Sequence, residues 1–419
     1  MALPLRRQGI DYPLLVLALL LTAFGIAMVF SAGQTDAPAG VVARLWQRQL
    51  GFFAISLIAC FVVSRGSVRL LEWSAWPLYL LSCGLLVLVL FIGTGAGTAE
   101  SMKGWLTIGG KRIGQPAELA KLATTLMLAR VLAAQREPPR ALVELWRPLL
   151  VVGIPWILVM AQPDLGTGIV FIGICFAMLF WAGVSWPVLL MLASPGISLI
   201  LAFSTSAWGA WFFLLFALML WHRPYLLEGV ALMLANVAMG IVAPILWDKL
   251  KPYQRGRLLV FLDPTLDPRN AGYHIMQSKV AIGSGGLFGQ GFTLGSQKRL
   301  QFLPERHTDF IFSVVGEELG FVGVTVALSL FLALFLRSTR VATRANDAFP
   351  SLLAFGLMSA WVIHVTINIG MTLSLMPVTG IPLPFFSYGG SFLLVSWLSV
   401  AVLLRISAEG RGLPDAMGL

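Results

Sequence analysis

Apolar runs of membrane-spanning length recur along nearly the whole chain, divided by short polar turns. They predict spans at about 12–30, 51–63, 71–92 and 117–132, a fifth ending at the Gln162-Pro163-Asp164 turn, and a sixth reaching about Ala182. Further runs at about 187–203, 209–221, 226–247, 310–336, 352–373 and 385–404 bring the expectation to about twelve. Runs of roughly 17–25 residues without period-two alternation predict α-helical spans and exclude a membrane β-barrel, because a helix satisfies its own backbone in lipid. The expected fold is an all-α polytopic membrane protein, one domain over 1–419. The segment 248–308 departs from the pattern, gathering Asp, Lys, Arg, His and Gly where the flanking sequence is Leu, Val, Phe and Ala. It reads as one large loop and the first place to look for chemistry.

Composition agrees with that solvent. With 58% hydrophobic and 11% charged residues among 419, the chain lacks the polar surface to cover a water-soluble body of this size. Cys60, Cys83 and Cys175 all fall in apolar runs without metal or disulfide spacing and are expected to be inert. The first apolar run is long enough to span and lacks a small-residue cleavage site, so no cleaved signal peptide is expected. An even number of spans puts both termini on one side. Arg6, Arg7, Arg65, Arg69, Arg136, Arg140, Arg147, Arg223, Arg337, Arg340, Arg344, Arg405 and Arg411 then fall at cytoplasmic ends. The long loop lies outside, and its own cations call for an anionic substrate or lipid headgroup.

Several constellations carry candidate chemistry. Asp263-Pro264 and Asp267-Pro268 sit four residues apart, and each proline biases its aspartate into a turn. They read equally as two structural Asx turns or as a carboxylate held rigidly above the membrane. AGYHIMQSKVAIGSGG predicts a short interfacial helix with Ile275, Met276 and Val280 toward lipid, Lys279 as a phosphate contact, and a glycine stop. The GSGGLFGQGF that follows is not a nucleotide loop: its GxGxxG registers fail at Phe288 and Leu294, so it reads as a flexible turn. In QPAELAK, Pro116 opens a helix that sets Glu118 and Lys121 three apart on one face. Ionisable groups inside a bilayer are functional by default, and a headgroup-level structural pair is the alternative. PERHTDF leads into the tenth span with Glu317 and Glu318 beyond it, while His364 and Asn368 are spaced to hydrogen-bond between helices. No HExxH, Cys/His ligand set or GxSxG elbow occurs.

The strings QPAELAK, QPDLGTG, LDPRNAGYHIMQSKVAIGSGG, LPERHTDFIFSVVGEELG and GIPLPFFSYGGS, in this order, resemble the signature segments of the shape, elongation, division and sporulation family of RodA and FtsW proteins. The arginine of PERHTDF, with AGYHIMQSK and AIGSGG, is closer to the RodA branch. The resemblance implies a glycosyltransferase of the bacterial cytoplasmic membrane that polymerises lipid II on the outer face during elongation. Its substrates and products would be polyprenyl-pyrophosphate-linked glycans. It would work among membrane lipids with a class B penicillin-binding protein, and without nucleic acid or an organic cofactor. The family's essential aspartate, in DP before a short gap and GY, corresponds to Asp267, which would act as general base with inversion at the anomeric carbon. One base suffices because pyrophosphate already leaves well, whereas a glycosidase must protonate an alkoxide. Lys121, Arg48, Arg306, Lys279 and other loop lysines are candidates for binding pyrophosphate. Glu118 would hold Lys121, and Asp164 and His307 complete the substrate set. A divalent cation, Mg²⁺ or Mn²⁺, bridging pyrophosphate oxygens is expected, its ligands not legible in sequence. Two other classes remain open, a lipid II flippase and a non-catalytic scaffold for a penicillin-binding protein. The family core has ten spans, so the region 187–247 is expected to contain an inserted helical hairpin.

Overall fold

The computed structural model describes residues 10–36, 42–95, 104–108, 111–135, 137–250, 255–256, 259–261, 263, 271–303 and 305–410. Asp267, Lys251, Arg257 and Arg269 lie outside the described residues. Every apolar run of the sequence is a helix: α1 (Tyr12–Gly33), α2 (Leu45–Ser64), α3 (Val68–Ile92), α4 (Pro116–Ala133), α5 (Trp146–Ala161) and α6 (Leu165–Trp181). Then come α7 (Trp186–Leu201), α8 (Thr205–His222) and α9 (Leu226–Lys249). In the long loop lie α10 (Ala271–Ser284) and α11 (Ser296–Arg299), and the bundle closes with α12 (Ile311–Thr343), α13 (Ala348–Thr372) and α14 (Gly390–Gly410).

Among the described residues, nine helices are long and apolar enough to cross a membrane, three fewer than the twelve spans expected. The shortfall has physical causes: α4 carries Glu118, Lys121 and Arg130, and α6 and α7 are shorter apolar helices. The connection between α3 and α4 holds a two-stranded antiparallel hairpin, β1 (Leu106–Ile108) with β2 (Lys111–Gly114).

Burial divides the helices. In α13 and α14, 67% of the most apolar window is buried, against 6% in α8. The core is thus α13 and α14 with α4, α6 and the first turns of α12, and a ring of lipid-facing helices surrounds it. α8 and α9 pack chiefly on α7 at one edge, where Asn236 donates to Ser194 Oγ at 2.8 Å and accepts from Ser198 Oγ at 2.6 Å. Such small polar contacts join helices that hydrophobic force cannot join in lipid.

Two non-helical stretches sit against this core. Between α13 and α14, Ile381, Leu383, Phe385 and Phe386 are almost wholly buried. The sequence places a span start there, but the helix begins only at Gly390. The buried backbone is satisfied by side chains: Asn368 Nδ2 donates to Ile381 O (2.7 Å), His364 Nδ1 to Pro382 O (3.1 Å) and Gln49 Nε2 to Ser387 O (3.2 Å). Irregular backbone at this depth is tolerated only when protein replaces water in this way.

The second stretch is the glycine turn after α10. It is packed rather than flexible, because α12 breaks at Gly320 (φ 61°, ψ −159°) and the turn supplies the missing partners. Gln290 N and Gly291 N donate to the carbonyls of Glu317 and Glu318, both at 3.0 Å, and Phe321 N and Val322 N donate back to Gly286 O and Leu287 O. A Cβ at Gly320 would strike the backbone of Gly289 and of Leu287. Gly320→Ala is expected to destabilise by about 2–5 kcal/mol, from left-handed strain plus overpacking. Thermal unfolding in detergent checks this, and an unchanged midpoint would contradict the packed kink.

Candidate functional site

The polar residues converge at one end of the bundle, where α1 finishes and α2, α4 and α12 begin. There the α13–α14 connection meets its neighbours: Ser387 Oγ donates to Thr308 O (2.6 Å), Tyr388 N to His307 O (2.9 Å) and Gly389 N to Gln49 Oε1 (3.1 Å). Gln115 N, at the entrance of α4, donates to Ser391 Oγ (3.3 Å). Residues distant in sequence thus share one surface.

Pro116 at the first helical position sets Glu118 and Lys121 on the inward face of α4, 3% and 5% exposed. Lys121 Nζ lies 2.9 Å from Glu118 Oε1 and 2.8 Å from His364 Nε2 on α13. Phe392 closes the group, stacked on His364 at 4.7 Å with Lys121 Nζ 5.4 Å from its ring centre. Asp164 caps α6, its Oδ1 accepting from Thr167 N at 3.0 Å, and lies within electrostatic reach of Glu118. The Lys121 charge is therefore saturated within the bundle, and a phosphate would have to exchange for one of its partners.

Arg306 and His307 stand apart from that cluster. Arg306 Nε donates to Ala32 O at the end of α1 (2.9 Å), and burial draws its guanidinium below the usual range while Glu305 opposes the shift. The His307 imidazole is likewise lowered by burial, against the pull of Glu305, so it is neutral near pH 7. Arg48 is exposed on α2 beside Gln49, and Lys279 is exposed on α10. On that helix Ile275 is fully buried rather than turned to lipid, while Met276 and Val280 are exposed. Asp263 is exposed, with its backbone N–H on Leu259 O (2.9 Å). Among the described residues no three His, Cys, Asp or Glu side chains gather as a metal site, so these residues do not form a cation cage.

Sequence reasoning missed Lys298. Grouped with the other loop lysines as a phosphate contact, it is instead 0% exposed, ion-paired to Glu318 and donating to Ser31 O and Ser31 Oγ, both at 2.9 Å. Beside it, Glu317 Oε1 accepts from Gln297 N at 2.6 Å and so anchors α11. Burial pulls the Lys298 ammonium below its ordinary range, and the Glu318 carboxylate counters it. Lys298→Met should cost about 3–5 kcal/mol, since it strands Glu318 in the interior. Lys298→Met with Glu318→Gln should cost clearly less than that single change, as read by thermal unfolding. Equal losses would mean that the pair is not coupled.

The model of the FtsW, RodA and SpoVE family, described as cell cycle protein, matches residues 12–212 and 209–412. The chain is 36% identical over 409 residues to the peptidoglycan glycosyltransferase MrdB of Escherichia coli, covering 97% of this chain and 96% of that protein. It is 32% identical over 442 residues to the peptidoglycan glycosyltransferase RodA of Treponema pallidum, covering 95% and 98%. Among solved structures, a chain of a peptidoglycan synthase complex that coordinates polymerization and crosslinking aligns with TM-score 0.70 and 30% identity, over 96% of this chain and 99% of that one. The rod shape determining protein RodA of Thermus thermophilus aligns with TM-score 0.62 and 28% identity, over 97% and 99%.

Proposed function

Because the chain belongs to the FtsW, RodA and SpoVE family, we propose that the polar end of its bundle polymerises lipid II outside the cytoplasmic membrane, in the RodA manner, for wall elongation. The chain is a peptidoglycan glycosyltransferase and a multi-pass membrane protein. The observation that carries the activity is end-to-end similarity to proteins named for it. The orientation, with both termini cytoplasmic, rests on the arginines at the opposite end of the bundle.

In the proposed reaction Asp267 takes the proton of the acceptor 4-hydroxyl. That oxygen bonds to the anomeric carbon of the donor as the bond from carbon to pyrophosphate oxygen breaks, and the configuration inverts. The exposed Arg48 and Lys279 and the half-buried Arg306 are the groups that would take up pyrophosphate charge. His307, neutral near pH 7, would hydrogen-bond rather than pair. The buried Glu118, Lys121 and His364 would hold the donor-side wall in shape, with Asp164 at its edge. A Mg²⁺ or Mn²⁺ ion, where used, would be carried on pyrophosphate oxygens. The transpeptidase partner would be a class B penicillin-binding protein, in keeping with the solved synthase complex.

The test is polymerisation of purified lipid II by the chain with its co-purified partner. Asp267→Asn should lower the rate by about 10²- to 10⁴-fold while leaving folding and partner binding intact. Equal polymer from both proteins would remove Asp267 from the mechanism. Absence of polymer from both proteins, with lipid II crossing a vesicle membrane, would favour transport. His364→Gln should reduce polymerisation by about 10-fold or more through misplacement of Lys121, and His364→Asn should not restore it. A full rate in either variant would detach the buried cluster from catalysis.

A further inference from the structure

At the end of the bundle opposite the proposed active site, a cavity of about 320 Å³ opens where the α8–α9 turn meets the connection between α4 and α5. Arg140, Glu144, His222, Arg223, Tyr225 and Glu228 form its polar lining, and Leu142, Val188 and Met191 its apolar part. Trp186 and Trp221 stand beside it with ring centres 5.4 Å apart, and exposed Trp146 opens α5 nearby. Aromatic residues at helix ends mark headgroup depth, and a basic pocket between helices at that depth is suited to a lipid headgroup.

The charges are balanced, which sets this cavity apart from a plain anion site. Among the described lining residues two guanidiniums stand with two carboxylates, and Arg140 also pairs at the exposed rim with Glu137 (3.3 Å), an ion pair that a phosphate would have to displace or share. Each carboxylate spends an oxygen on a backbone N–H: Glu144 Oε2 accepts from Arg140 N (2.8 Å) and Glu228 Oε1 from Val143 N (2.9 Å). The first bond closes a turn within the α4–α5 connection, the second fastens that connection to α9, and each leaves a second oxygen on its acid. Arg223 closes α8 in the left-handed region (φ 53°, ψ 60°), a position that glycine normally takes. A strained non-glycine cap is the kind of outlier from which function is inferred, and Arg223 makes no ion pair with any described residue.

We infer that this cavity seats the headgroup of a phospholipid that carries both a phosphodiester and a primary ammonium, with phosphate on Arg140 and Arg223 and ammonium on Glu144 and Glu228. An anionic glycerol headgroup would leave both carboxylates unanswered. A quaternary ammonium cannot donate to them and calls for an aromatic cage, whereas among the described lining residues Tyr225 alone is a Phe, Tyr or Trp, the Trp186–Trp221 pair standing outside the lining. The apolar part of the lining continues toward the bilayer along α7 and receives the glycerol and first acyl carbons.

Native mass spectrometry of the delipidated full-length protein, titrated with phosphatidylethanolamine, phosphatidylglycerol and phosphatidylcholine of matched chains, tests this. Phosphatidylethanolamine should be retained about fivefold or more over the others, the increment expected of one well-placed charge at a headgroup. Arg223→Gly suits the left-handed turn and should weaken all three lipids. Glu228→Gln keeps an acceptor for Val143 N–H and should bring phosphatidylethanolamine down to the level of phosphatidylcholine. Tighter binding of phosphatidylglycerol, or a preference unchanged in Glu228→Gln, overturns the inference. Glycerophosphoethanolamine in solution should not displace the lipid at equal concentration. If it does, the ligand is the soluble ester and the lipid assignment falls.

Discussion

The docking of the polar loop onto the bundle depends on the buried pair of Lys298 and Glu318. A lysine and a glutamate with no exposure can persist only when each neutralises the other and spare valences are filled, and Ser31 fills them from α1. Three pieces of chain are pinned at one point: the end of α1, the short helix α11 of the loop, and the first half of α12. The neighbouring Glu317 fixes α11 through its backbone N–H groups, and the glycine turn fixes the broken α12 through four backbone hydrogen bonds. The polar loop therefore reaches the bundle as a docked layer. Arg306 and His307 inherit their places from it, since they lie between α11 and α12 and rest on Ala32 and Tyr388.

The helices were legible because lipid leaves so few ways to satisfy a backbone that apolar length alone nearly specifies them. The errors fall where that logic stops. Phe385 and Phe386 look like the start of a span, yet they belong to a buried irregular strap whose carbonyls are served by side chains from α2 and α13. Composition cannot separate a residue facing lipid from one facing protein, and Ile275 went astray for the same reason. The start of α2 at Leu45 precedes the apolar run, because its first residues include exposed polar groups while Gln49 is buried against the strap.

Within the site, what was legible was local. Glu118 and Lys121 share a helical face because they are three residues apart, and Asp164 announces a cap by standing before a helix. His364 and Lys121 are 243 residues apart, so nothing in either neighbourhood announces their contact. Lys298 is harder still, since QKR in a polar loop has the composition of a solvated surface. Glu317 and Glu318 are adjacent near the start of α12, so one of them must face protein or water, but nothing local says that Lys298 meets it.

The strap and the buried cluster are linked through one imidazole. Pro382 O can only accept, so His364 Nδ1 carries the proton that it donates, and Nε2 is left as an acceptor for the Lys121 ammonium. Lys121 is then held between one carboxylate and one neutral ring, and among the described residues Glu118 is its ion-pair partner. The position of that ammonium depends on the strap carbonyl as much as on the helix that bears the lysine. The connection between α13 and α14, which also carries the contacts to Thr308, His307 and Gln49, is thereby joined to Lys121 through His364. Loop, strap and buried charge thus form one hydrogen-bonded unit at the polar end.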